Sequence, residues 1–287
     1  MKLPIITALA LTLGLAPPAL AARAFHTIPQ PAGTYYDGSA GWGVSPSGEI
    51  LGSFFTQPGG NEADAEGFID LHKVVTILNY PGAYFTVWHG KNKAGTLIGE
   101  AGIFGIAGVI ESASGTFSSY SYPGADYTRF TGINSKGVIS GNYYDGSYHG
   151  LIYNSGATTV FNFPGAQDTA CTSINDSGVI AGNYTTSGVT HAYYLKGTTA
   201  KSFDVKGATY TDARGINDSG EIVGFWQDST GAFHGFLREK TGKITTIDYP
   251  KSTGTKVFGI NDSDEISGEW LNAAGQWMPF YAVEKSQ

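Results

Sequence analysis

A ten-residue phrase, written four times at a nearly constant step, constrains this chain more than any other feature. It reads GINSKGVISG from Gly132, SINDSGVIAG from Ser173, GINDSGEIVG from Gly215 and GINDSDEISG from Gly259. Its asparagines, Asn134, Asn175, Asn217 and Asn261, are 41, 42 and 44 residues apart. Two weaker copies upstream, GKNKAGTLIG and GVSPSGEILG, put Asn92 and Ser45 in the same register. Six copies at so regular a step mean one supersecondary unit repeated, not six unrelated segments.

Three further landmarks keep the step. One is a triplet, His149-Gly150-Leu151, His191-Ala192-Tyr193 and His234-Gly235-Phe236, with degenerate forms at Glu66-Gly67-Phe68, Ala107-Gly108-Val109 and Met278-Pro279-Phe280. Another is a corner, Tyr80-Pro81-Gly82, Tyr122-Pro123-Gly124, Phe163-Pro164-Gly165, Val205-Lys206-Gly207 and Tyr249-Pro250. The third is a hydroxyl six positions before each Asn or its equivalent: Ser39, Thr86, Thr128, Thr169, Thr211 and Thr255.

Each unit reads as four short strands, in the third copy near residues 127–134, 138–144, 148–153 and 158–163. Four strands in about 42 residues is the size of a propeller blade, whereas a β-helix coil is shorter. The chain opens with FHTIPQPAG, which matches a fourth strand and its corner, and closes with WMPFYAV, which matches a third strand. One blade is thus split between the ends. The expectation is an all-β, six-bladed β-propeller of four-stranded blades, its ring closed by the N-terminal strand, since an open array leaves unpaired edges. The phrase itself is scaffold: Asn bonds its own backbone to begin a type I turn, Asp and Ser suit the middle, and Gly takes the left-handed position.

Composition supports strands. Glycine is abundant (41 residues) and costly inside helices, charged residues make up only 14%, and 41% hydrophobic content suffices for a core. Met1 and Lys2, an apolar stretch to Ala16, Pro17-Pro18 and Ala19-Leu20-Ala21 spell a cleaved export signal over residues 1–21. That stretch is shorter than the ~20 residues of a membrane span. The expectation is one domain over residues 22–287, exported to the periplasm or medium, monomeric, with no membrane span. A net charge of −7 argues against nucleic acid as a partner. Cys171 is the single cysteine, so no internal disulfide forms, and it is expected to point into packing.

Taken together, the phrase, triplet and corner resemble the bacterial extracellular HAF repeats, named for a His-Ala-Phe triplet, over residues 25–283. The resemblance implies export and a repeat β fold. It carries no catalytic residues, and three units here lack the His.

In a repeat protein the residues that recur serve the fold, so departures from the repeat are the better site candidates. The three triplet histidines are expected to make structural hydrogen bonds to a neighbouring blade, with no metal and no cofactor. Two residues beyond the phrase stand Phe54, Tyr143, Tyr184, Trp226 and Trp270, with Ala101 in the second copy. They form either a stacking platform for sugars or packing between blades. The strand entering each Asn should line a central channel, and there Arg129, Asp212, Arg214, Lys256 and His89 bring mixed charge. The leading functional expectation is a binding or interaction module for carbohydrate or an extracellular protein. The alternatives are a lyase or hydrolase acting through Arg129, Asp212, Arg214 or His89, and a purely structural envelope protein.

Overall fold

The computed structural model describes residues 23–57, 64–71 and 73–284; the expected export signal at residues 1–21 lies outside them. Among the described residues there are twenty-four strands and no α-helix. The first, β1 (Arg23–Thr27), is followed by a sheet of β2 (Tyr35–Val44), β3 (Ile50–Phe55), β4 (Ala65–Leu71) and β5 (Val74–Ile77). The second sheet holds β6 (Phe85–Lys91), β7 (Leu97–Gly102), β8 (Ile106–Glu111) and β9 (Phe117–Tyr120). The third holds β10 (Tyr127–Ile133), β11 (Ile139–Tyr144), β12 (Tyr148–Asn154) and β13 (Ala157–Phe161), and a single parallel pairing of Tyr127 with Ile106 joins it to the second.

The fourth sheet is β14 (Asp168–Ile174), β15 (Val179–Thr186), β16 (Val189–Lys196) and β17 (Thr199–Phe203); the fifth is β18 (Tyr210–Ile216), β19 (Ile222–Gln227), β20 (Phe233–Arg238) and β21 (Ile244–Ile247). The sixth has three strands of its own, β22 (Gly254–Ile260), β23 (Ile266–Leu271) and β24 (Trp277–Glu284), and takes β1 as its fourth. In that pairing Thr27 lies opposite Phe280. Within each sheet neighbouring strands are antiparallel, as short connections require.

The core is divided into slabs between consecutive sheets. Val223, Leu237 and Ile247 of the fifth sheet pack on Val257, Ile266 and Phe280 of the sixth. Ile28 and Tyr281 of the sixth pack in turn with Ile50, Phe54 and Phe68 of the first. The first strands β2, β6, β10, β14, β18 and β22 each touch the next, and β22 touches β2.

The landmarks now have causes. In three of the four full copies the Asn side-chain oxygen accepts two backbone amides of its own turn, as Asn134 Oδ1 does from Lys136 (3.1 Å) and Val138 (3.0 Å), and in the other Asn217 Oδ1 accepts that of Glu221. In the five copies with Thr the recurring hydroxyl accepts the amide of the corner residue six positions earlier, as Thr128 Oγ1 does from Tyr122 at 2.8 Å and Thr169 Oγ1 from Phe163 at 2.9 Å, whereas Ser39 accepts that of Phe55. The turn phrase does more than the local work expected of it. Asn92, Asn134 and Asn175 each donate from Nδ2 to the backbone carbonyl of the equivalent residue in the next sheet, and Asn261 donates to Ser45.

Candidate functional site

Every first strand carries a β-bulge three residues before the turn Asn. The register slips between Gly41 and Gly43, Trp88 and Gly90, Phe130 and Gly132, Cys171 and Ser173, Ala213 and Gly215, and Val257 and Gly259. A bulge re-aims the extra side chain. The six residues so placed, Trp42, His89, Thr131, Thr172, Arg214 and Phe258, all line one cavity of about 570 Å³. The glycine that ends each phrase makes room for this geometry: a Cβ on Gly141 would sit 2.1 Å from the Arg129 carbonyl oxygen, and one on Gly224 would sit 1.9 Å from that of Asp212.

Four of the five charges expected to converge do so. His89, Arg129, Asp212 and Arg214 line the cavity, whereas the Lys256 ammonium lies 4.0 Å from the centre of the Trp277 ring and pairs with Glu269 at 2.7 Å. The four are held in two ion-pair clusters. His89 Nε2 lies 3.2 Å from Glu100 Oε1, and Arg129 Nε lies 2.6 Å from Glu100 Oε2, a close ion pair. Burial alone would raise the Glu100 carboxyl, but the Arg129 guanidinium and His89 outweigh it and hold it below the ordinary range. In the other cluster Asp212 Oδ2 accepts from Arg214 Nε (3.0 Å) and Tyr210 Oη (3.0 Å), while Oδ1 accepts from Asn183 Nδ2. Burial disfavours the Arg214 cation, yet Asp212 beside it keeps that group above its usual value.

Glu100, Asn142 and Asn183 were not singled out in the sequence. A signal existed: each follows the glycine that ends its phrase, and in the register each lies directly across from the residue five before the Asn, as Asn142 does from Arg129. Asn142 is 7% exposed, and its side-chain oxygen has no hydrogen-bond partner.

One end of the cavity is rimmed by the turns. Asp176, Asp218 and Asp262 follow their turn asparagines, and each accepts the backbone amide of the equivalent residue in the preceding sheet, at 2.7–2.8 Å. Their second oxygens meet Lys93 Nζ at 3.3, 3.4 and 3.3 Å. The Lys93 pKa is raised by hydrogen bonds to Asp262, Asp176 and Asp218.

The aromatic candidates lie elsewhere, in the packing arrangement. Phe54 is fully buried against Phe68. Tyr143 is stacked between Tyr122 (3.9 Å) and His149 (4.9 Å), and Tyr184 between Phe163 (3.8 Å) and His191 (5.2 Å). Trp226 stacks on His234 and Trp270 on Tyr249. Phe54, Tyr143 and Tyr184 thus have no free ring face for a sugar, while Trp226 and Trp270 are half-buried with one face stacked. The triplet histidines correct an expectation. Their hydrogen bonds stay within their own sheets, His149 Nδ1 to Asn162 (3.0 Å), His191 to Asp204 (2.8 Å) and His234 to Asp248 (3.0 Å), because the hairpin of third and fourth strands brings those residues alongside. Among the described residues no group of three or more His, Cys, Asp or Glu side chains is placed to hold a metal ion. Nor is any helix there long and apolar enough to cross a membrane.

No family model and no curated protein matches the sequence. Solved structures do match in fold. A putative TolB from Agrobacterium tumefaciens aligns at 11% identity over 88% of this chain and 91% of that one, with a TM-score of 0.60. TolB from Acinetobacter baumannii aligns at 11% identity over 84% of this chain with a TM-score of 0.59, and this chain spans 65% of that protein's length. The lectin SapL1, solved with α-methyl fucoside, aligns at 9% identity over 87% of this chain and 94% of its own, with a TM-score of 0.58. The fold is that of a β-propeller.

Proposed function

We propose that the chain is an exported six-bladed β-propeller, closed by its own N-terminal strand, that binds a small polar ligand, a saccharide, in the cavity bounded by its first strands. Closure is supported by the β1–β24 pairing, by the contact of β22 with β2 and by the Asn261 bond to Ser45. Export is supported by the signal-like N-terminus and by the resemblance to HAF repeats. One observation carries the binding reading: the cavity wall is built from the positions where the six copies disagree. At the bulge Thr131 and Thr172 share one structural task, donating to backbone carbonyls of their own and the next sheet, but Trp42, His89, Arg214 and Phe258 form an aromatic and charged mixture that this task does not require. A lectin of the same fold, solved with a fucoside, agrees with a saccharide.

The lyase or hydrolase alternative has less support. Both Asp212 oxygens accept hydrogen bonds, and the Arg129 guanidinium and the His89 contact hold the Glu100 carboxyl below its ordinary range, so neither carboxylate is a poised base. A glycan microarray followed by calorimetric titration tests the binding reading. The wild-type protein is expected to retain at least one glycan, and Asn142→Leu and Trp42→Ala are expected to lose it. Retention of no glycan, or retention unchanged in both variants, would overturn it.

A further inference from the structure

The charged side chains of the two ion-pair clusters are layered. The carboxylates lie behind and the guanidiniums in front: the Glu100 and Asp212 side chains are 4% and 1% exposed, while those of Arg129 and Arg214 are 24% and 34% exposed. At these two clusters a ligand therefore meets a guanidinium before a carboxylate, whereas at the rim it meets Asp176, Asp218 and Asp262 around Lys93. The two guanidiniums come from the third and fifth sheets. Between them the fourth sheet adds the uncharged Ala170, Thr172, Asn183, Thr185 and Thr190 and, besides the rim's Asp176, one carboxylate, that of Asp168, which accepts the Tyr148 amide at 2.8 Å. The Arg214 bonds to Asp212 use Nε and Nη2, which leaves Nη1 without a hydrogen bond among the described residues. Asn142, across from Arg129, is a second group with unmet hydrogen-bonding capacity, and at 7% exposure it is buried at the cavity wall. The Arg129 charge also opposes that of Arg214, which an anion between them would relieve.

We propose that the ligand carries a carboxylate and that the space between Arg129 and Arg214 is its subsite: the cavity takes an acidic sugar, a hexuronate, with the Asn142 side-chain oxygen accepting from one of its hydroxyls. This rests on the saccharide reading of the same cavity and narrows it. Arginine's planar fork suits a carboxylate, and a partly desolvated charge pair discriminates strongly against a neutral analogue.

The test is calorimetric titration of the full chain with D-glucuronate and D-galacturonate, beside neutral D-glucose and D-galactose, at low and high salt. The uronates are expected to bind at least about tenfold more tightly than the neutral parents, with salt weakening the difference. Two variants probe the subsite. Asn142→Asp breaks no protein hydrogen bond and sets a negative charge beside the subsite. The double change Asp212→Asn with Arg214→Gln removes one guanidinium without stranding a buried charge. Each is expected to weaken uronate binding at least about tenfold while the protein stays folded by circular dichroism. Equal binding of uronates and parents, or unchanged uronate binding in both variants, overturns the carboxylate subsite and leaves the saccharide reading standing. Binding of neither class, with the glycan microarray also blank, overturns both.

Discussion

The turn rim and the cavity wall are made by the same six first strands, only a few residues apart, yet they obey opposite rules. At the rim the copies agree: Asn134, Asn175 and Asn261 accept from their own turns and donate to the next sheet. Three residues earlier all copies share a backbone bulge but only two, with Thr131 and Thr172, share a side chain; Trp42, His89, Arg214 and Phe258 differ, and all six face one space. The repeat thus conserves the backbone that aims a side chain and leaves the side chain free to vary. Scaffold and site are separated by residue position, not by domain.

The largest effect expected from this division is at the glycine that ends the phrase. In Gly141→Ala the new methyl group meets the Arg129 carbonyl oxygen at 2.1 Å, inside a bulged pair that has no slack. A loss of about 3 kcal/mol or more in urea denaturation is expected. Gly137→Ala, in the turn at φ 77° with nothing within 4 Å, is expected to cost only about 1–2 kcal/mol, the price of a left-handed non-glycine residue. Equal costs would mean that the bulge is soft.

Next comes the rim itself. Asn134→Asp keeps the Oδ1 that accepts from Lys136 and Val138 but replaces the donor to the Asn175 carbonyl with a second oxygen. If the phrase only made turns, the change would be nearly silent. Because it also ties sheet to sheet at a buried site, a loss of about 2–3 kcal/mol is expected in chemical denaturation at pH 7.

How far the sequence revealed this is a matter of which interactions are local. The turn was legible because Asn, Ser and Gly satisfy it within five residues, and the four-strand unit because periodicity and corner residues are local too. The N-terminal strand was placed in the last sheet by matching FHTIPQPAG to a corner, and β1 does pair with β24. Arg129, Asp212, Arg214 and His89 were legible as departures from the repeat. Glu100 and Asn142 escaped because their importance lies in cross-strand register: each looks like an ordinary strand residue until the bulge sets it opposite residue 87 or 129. The triplet His was misassigned to a neighbouring blade because its partner lies about thirteen residues downstream on its own hairpin. Lys256 failed to join the cavity because Trp277 and Glu269 together hold its ammonium aside.

One rim position breaks the repeat's own rule and sharpens the contrast. Asp264 stands where the other copies have glycine and holds φ 58°. Burial first, then the neighbouring Glu221, pushes its carboxyl up to about 6. A carboxyl raised in the folded state binds more protons there than in the unfolded chain, so its contribution to stability is lost as pH rises from about 4 to about 6. Asp264→Gly is expected to flatten that slope and to raise stability at pH 7 by about 1 kcal/mol from the backbone alone. Thermal melts of both proteins at pH 4 and pH 7 check it; an unchanged difference between the two pH values would show that Asp264 does not titrate in this window.

The smallest expected effect on stability is the one that decides the comparison. Asn142 lies within the wall with its side-chain oxygen unpartnered, so the fold gains little from its polarity and bears the cost of burying it. Asn142→Leu should therefore leave stability within about 1 kcal/mol of wild type, or raise it, while abolishing ligand binding. An asparagine whose amide served the scaffold would behave in the opposite way, as Asn134 at the rim is expected to. Should Asn142→Leu cost as much as Asn134→Asp in the same urea titration, the wall would be scaffold as well, and the variability of the copies there would need another cause.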